Sequence, residues 1–131
     1  MTRDKLAQLG SVIAVVFFSF ILWIIYLANT GNQNLLFEMV GNIPFGDKLG
    51  HLVLFGALTL LVVVASQFRC ITLGRFNCYY GALAVTLFVV VEELSQVFFP
   101  TRTFDLGDLF ADAVGIVLAI KAAQLLNRQM T

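Results

Sequence analysis

Ten polar side chains in this 131-residue chain have the types and spacing to do chemistry together. Asp47, Lys48 and His51 lie in DKLGH; Glu92, Glu93 and Gln96 lie in EELSQ. Arg102 follows Pro100, and Asp105, Asp108 and Asp112 lie in DLGDLFAD. A carboxylate shifted toward neutral pH by burial works as a general acid or base, and an imidazole works there unaided. His51 and Glu93 are therefore the candidate catalytic pair. The acids also offer the oxygen ligands that divalent cations favour, although no specific metal-binding motif is present. Lys48, Arg102 and His51 could hold a polar or anionic head group. No nucleophile motif accompanies them: there is no G-x-S-x-G, no activated cysteine and no phosphatase-like signature.

On helices, these spacings gather side chains onto shared faces. Asp47 and Lys48 stand four and three residues before His51. Glu92 and Glu93 stand four and three residues before Gln96, which repeats the geometry. Asp105, Asp108 and Asp112 follow i, i+3, i+7 and form one acidic stripe. Each group also has a plain structural use. Asp47 and Asp105 suit helix starts. Gln96 and His51 suit bonds between helices. Lys48 and Arg102 suit interfacial anchoring. Glu38 reads as a solvated loop charge.

The elements that must position these groups are strongly apolar. Hydrophobic residues make up 60% of the chain and charged residues 12%. A soluble domain carries about 25% charged residues. Mean hydropathy is +0.91. Both values predict an all-α polytopic membrane protein, a bundle of four transmembrane helices in a single domain over 1–131. About 20 apolar residues span a bilayer, and the spans fall at about 6–28, 49–68, 78–99 and 104–126. The first reads as an uncleaved span: its apolar run exceeds a signal core, and Tyr26-Leu27-Ala28 makes a poor cleavage site. NLLFEMV, between spans 1 and 2, suggests a short interfacial helix stopped by Pro44. Ala111, Gly115, Ala119 and Ala123 form a small-residue stripe that lets a neighbouring helix approach.

The basic residues predict orientation. Arg3, Lys5, Arg69, Arg75, Lys121 and Arg128 lie in the N-terminal segment, the loop after span 2 and the C-terminal segment. Only Lys48 and Arg102 lie in the other two loops. Lys and Arg concentrate in cytoplasmic segments, so both termini are expected in the cytoplasm. Trp23 and Tyr26 then sit near the outer interface, and Tyr79 and Tyr80 near the inner one. Cys70 and Cys78, beside the inner loop, are expected to stay reduced. The net charge is zero, so the total says nothing about partners, and with no basic patch no nucleic-acid partner is expected.

At about 1.5 Å per helical residue, Glu93 lies roughly 10 Å and Asp112 about 12 Å from the outer ends of their spans. His51 lies roughly 5 Å in. The short turn Thr101-Arg102-Thr103 makes spans 3 and 4 antiparallel neighbours, with Arg102 over the cluster. Six acids against Lys48, Arg102 and His51 leave an acid excess. A wet, outward-facing ligand-binding pocket is expected from Asp47, Lys48, His51, Glu92, Glu93, Gln96, Arg102, Asp105, Asp108 and Asp112. The first span offers packing and lipid contact.

The same residues resemble the VanZ-like family of small bacterial membrane proteins. That family's pattern starts with D-K-x-x-H, here Asp47, Lys48 and His51. E-x-x-Q follows as Glu93 and Gln96, and Glu92 matches members with two acids. P-G-R follows as Pro100-Thr101-Arg102, with Thr101 in place of the usual Gly. D-x-x-D is Asp105 and Asp108, and Asp112 stands where many members have Asn, before Gly115. The match covers 44–119. It implies a multi-pass protein of the bacterial cytoplasmic membrane, in a family whose named relative assists resistance to the glycopeptide teicoplanin.

Three functions fit these residues. One is binding of a lipid or glycan head group from the cell envelope. The second is a membrane-embedded enzyme acting on a lipid-linked substrate. The third is a small transporter; against it, the acids lie in the outer third and no inner polar group completes a path.

Overall fold

The computed structural model describes residues 1–31 and 35–131, apart from the side chain of Leu36. Its elements are α1 (Arg3–Asn29), α2 (Leu35–Gly41), α3 (Gly46–Ala65), β1 (Cys70–Leu73), β2 (Phe76–Tyr79), α4 (Tyr80–Ser95) and α5 (Leu106–Gln129). A 3-10 turn, Gln96–Phe98, extends α4. Four of the helices are long and apolar enough to cross a membrane.

Each long helix forms from an apolar run bounded by a local stop. The Thr2 side chain accepts from the Lys5 N–H and caps α1; Asp105 accepts from the Gly107 N–H and caps α5. α3 ends three residues earlier than expected. Gln67 and Phe68 take left-handed φ of 58° and 59°, and the Phe68 N–H bonds back to the Val63 carbonyl. This turn aims the Phe68 ring inward, edge-on to Tyr79 at 6.4 Å. Polar side chains within the spans bond to their own helix: Ser11 to Ala7, Ser19 to Val15, Thr59 to Phe55 and Thr86 to Ala82. A hydrocarbon surround demands such internal partners.

The all-α expectation needs one correction. Residues expected to form a loop and the start of span 3 instead form an antiparallel hairpin, with Leu73 paired to Phe76 and Cys70 to Tyr79. Gly74, at φ 64°, supplies the left-handed residue of its two-residue turn. Helix α4 therefore starts at Tyr80 rather than Cys78. Cys78 pairs with Ile71, so the two cysteines project to opposite faces of the hairpin, and both are free thiols. The NLLFEMV segment does contain a helix, α2, which ends before Pro44. Asn34, the first residue of that segment, lies outside the described residues.

Helix α3 is central. It packs on α1, α4 and, most extensively, α5. Glycines set the closest approaches. A Cβ at Gly115 would collide with the Leu52 carbonyl oxygen, and one at Gly81 with the backbone of Val62 and Val63. Ala111, Gly115, Ala119 and Ala123 are all buried, so the small-residue stripe of α5 faces the bundle. Ile21, Phe55, Leu58, Val63, Val85, Val89 and Ile116 fill the core.

The chain runs up and down, so each end of the bundle collects two sets of termini. One end gathers the start of α1, the hairpin and the end of α5, where Arg3 donates to Asn127 at 2.6 Å and lies over the Phe68 ring. The other gathers the end of α1 and the starts of α3 and α5 beside the end of α4. The ten polar residues lie there.

Candidate functional site

Lys48 and His51 project from the first two turns of α3 toward α5, because the Gly56–Gly115 contact holds these helices close. The Lys48 ammonium donates to Asp105 and Asp108, each at 2.5 Å, and lies 3.6 Å from Asp47. One turn deeper, His51 Nδ1 lies 2.9 Å from Asp112 Oδ1. Its Nε2 faces the other way, 3.7 Å from Asp108 Oδ2 and 3.9 Å from Asp47 Oδ1. One ligand atom from each of Asp47, His51 and Asp108 falls within 4.8 Å of the other two, close enough to share a metal ion.

A second group hangs from α4. Gln96 donates to Glu92 at 3.2 Å and to Glu93 at 3.1 Å, as the i+4 and i+3 spacing requires. Arg102 donates to Glu92 at 3.1 Å. The two groups join through Glu93, whose Oε1 accepts the Asp105 backbone N–H at 2.9 Å. Both Glu93 oxygens are thus engaged and the residue is fully buried. It ties α4 to the start of α5.

All ten expected residues therefore enter one network, but they close on one another rather than line an open cavity. Asp112 and Gln96 are 1% and 2% exposed. Asp47, Asp105 and Lys48 form the accessible rim, with side chains 69%, 45% and 33% exposed. Asp105 belongs to the loop ahead of α5. The Lys48 ammonium, with help from the Gly107 N–H, holds its carboxyl below the usual carboxylate range. Buried polar groups need partners. Asp112 Oδ2 is the single exception among the described residues: it is a buried side-chain oxygen with no hydrogen-bond partner.

Two participants escaped the sequence reading. Asn29, at the end of α1, accepts from Arg102 at 2.8 Å. Thr101 donates to the Ala28 carbonyl at 2.8 Å and caps α1 from across the bundle. The first span thus supplies more than packing. Asn29 was the discoverable one: it is the first amide side chain after a long apolar run, at the depth of Arg102. The Thr101 contact depends on where the α4–α5 turn lands, which no local pattern reveals. A groove of about 280 Å³ lies elsewhere, between α1, α3 and α4, and its lining is apolar, including Phe18, Leu58 and Phe88.

A family model described as VanZ/LLP1 matches residues 4–127, nearly the whole chain. Comparisons with curated proteins and with solved structures give no match. With four membrane-length helices, the match makes this a multi-pass membrane protein.

Proposed function

The chain belongs to the VanZ/LLP1 family, and on that premise we propose that its polar site binds the head group of a cell-envelope lipid or glycan at the outer face of the bacterial cytoplasmic membrane. The observation that carries this reading is the rim. Lys48 and Arg102 are already paired with acids, and Asp105 already accepts from Lys48 and Gly107, so the accessible capacity lies chiefly in the acceptor oxygens of Asp47. Such a rim suits a head group that offers donors, namely hydroxyls or an amine.

Orientation follows from the basic residues. Arg3, Lys5, Arg69, Arg75 and Arg128 belong to the end opposite the site, and Lys121 lies two turns inside it. An excess of Lys and Arg marks the cytoplasmic side, which supports cytoplasmic termini and an outward site. Reporter fusions at each terminus and in the Arg102 turn test this. A cytoplasmic signal from the turn would reverse the assignment.

Head-group binding is testable because the chain holds a single histidine. Protein with 15N-labelled histidine, in nanodiscs, is titrated with glycerophosphoethanolamine and with N-acetylglucosamine oligomers. The His51 ring signals shift in the wild type and less in D47N/D105N. Ring signals unmoved by either probe at millimolar concentration would sink the reading.

A second reading, a membrane-embedded enzyme, is favoured by the His51–Asp112 pair. A carboxylate on Nδ1 orients the ring and leaves Nε2 toward the rim, the arrangement of a general acid–base histidine. In that reading His51 transfers the proton and Glu93 positions α5. An H51A protein that keeps the full in-cell phenotype rules it out. The transporter reading is weaker, because the core between the two ends is apolar.

A further inference from the structure

We propose that Asp47, His51 and Asp108 bind one divalent transition-metal ion at the rim, with Asp112 as the partner that orients His51. The inference deepens the outer-site reading and rests on it only for the side of the membrane the ion comes from.

Three observations carry it. First, the ligand atoms converge. His51 Nε2 lies 3.7 Å from Asp108 Oδ2 and 3.9 Å from Asp47 Oδ1. Tetrahedral bonds of about 2.0–2.1 Å place neighbouring ligands about 3.3 Å apart, so both His51 distances need to contract by about half an ångström, and the Asp47 and Asp108 oxygens lie within 4.8 Å of each other. Asp47 stands on the exposed first turn of α3 and is free to make that movement. Second, the other ring nitrogen is already committed to a buried carboxylate, Asp112 Oδ1, at 2.9 Å. Metal-bound histidines characteristically donate their second N–H to such a group, which fixes the tautomer and aims the lone pair at the metal. Third, Asp112 Oδ2 is buried and has no partner. A buried, unpartnered carboxylate oxygen beside an imidazole calls for nearby positive charge, and a metal on Nε2 supplies it through the ring.

The donor set selects the class of ion. One imidazole nitrogen and two carboxylates suit zinc, manganese or iron, whereas calcium and magnesium prefer all-oxygen shells. Three protein ligands leave one position open toward the rim, as in sites where a metal holds water or a substrate oxygen. Lys48 leaves the metal-facing oxygen of Asp108 open, since it bonds Asp108 through the opposite oxygen, Oδ1. The ion and the ammonium therefore bind opposite edges of one carboxylate.

The test uses full-length protein in nanodiscs, stripped with chelator, reloaded with zinc and washed. Elemental analysis is expected to give one zinc per chain in the wild type and none in H51A. D112N is expected to weaken zinc binding about 10–100-fold, the range for a lost outer-shell partner. D47N, altered only at an exposed rim residue, is expected to lose at least tenfold while circular dichroism and thermal unfolding match the wild type. Cobalt(II) in place of zinc is expected to give visible absorption bands that H51A lacks. Wild type that retains no more zinc than H51A overturns the inference, as does D47N binding like the wild type. If zinc is absent yet the glycan or ethanolamine probe still shifts His51, this inference fails and the head-group reading stands. If zinc binds and neither probe does, the reverse holds.

Discussion

His51 Nδ1 and Asp112 Oδ1 meet at 2.9 Å across the α3–α5 interface, in a layer where Asp112 is only 1% exposed. The ring is thereby oriented from the core side and free on the rim side. At a pH where the ring is neutral, 15N spectra of this single histidine are expected to show the proton on Nδ1. In D112L that preference is lost. Equal populations of the two tautomers in the wild type would contradict the pairing.

The approach of α3 to α5 has a steric cause that substitution can expose. Gly115→Ala drives a methyl into the Leu52 carbonyl, and overpacking of this kind costs about 1–3 kcal/mol. Gly50, on the same helix as Leu52, has open space around the added carbon. Gly50→Ala is expected to be neutral or to stabilise by about 0.5–1 kcal/mol through helix propensity. Reversible unfolding in mixed detergent micelles compares the two; equal destabilisation would refute this packing.

Arg102 and Glu92 make a sheltered guanidinium–carboxylate pair, with side chains 14% and 7% exposed. Removing one partner of a buried pair costs about 3–5 kcal/mol, because a charge is left behind. R102A is expected near the lower end, since Gln96 still donates to Glu92. R102A/E92Q is expected to recover part of the loss. A double variant no more stable than R102A would argue against the pair.

Asp105 gives the rim a pH signature. Lys48 lowers its folded-state carboxyl pKa below the ordinary value of 3.8. A depressed folded pKa contributes stability that is present above the unfolded value and lost as pH falls through the folded one. The melting temperature of D105N should thus fall below wild type near neutral pH. The gap should close in strong acid. The effect is modest, because the side chain is 45% exposed and solvent screens the pair. A gap that persists unchanged in acid would disprove the linkage.

Much of this site is legible in the one-dimensional pattern because helices convert spacing into proximity. EELSQ encodes both Gln96 bonds, and DKLGH places Asp47 and His51 on one face, 3.9 Å apart. The four membrane-length helices follow equally from apolar run length. The hairpin at 70–79 was harder to see. CITL and FNCY sit between two long hydrophobic runs, and a short apolar segment fits either periodicity.

The sequence by itself determined the helices, the acid-rich end and the side-chain faces, since run length and the 3.6-residue turn suffice for these. Only the tertiary structure decided which acid serves which base. Lys48 chose Asp105 and Asp108, 57 and 60 residues away, and His51 chose Asp112. Those pairings depend on the depth at which α5 docks on α3, which the contact of Gly115 with Leu52 and Gly56 sets. The capture of Arg102 by Asn29 and the capping of α1 by Thr101 likewise await the docking of α1. Interhelical register comes from close packing between distant segments, and local periodicity carries no information about it.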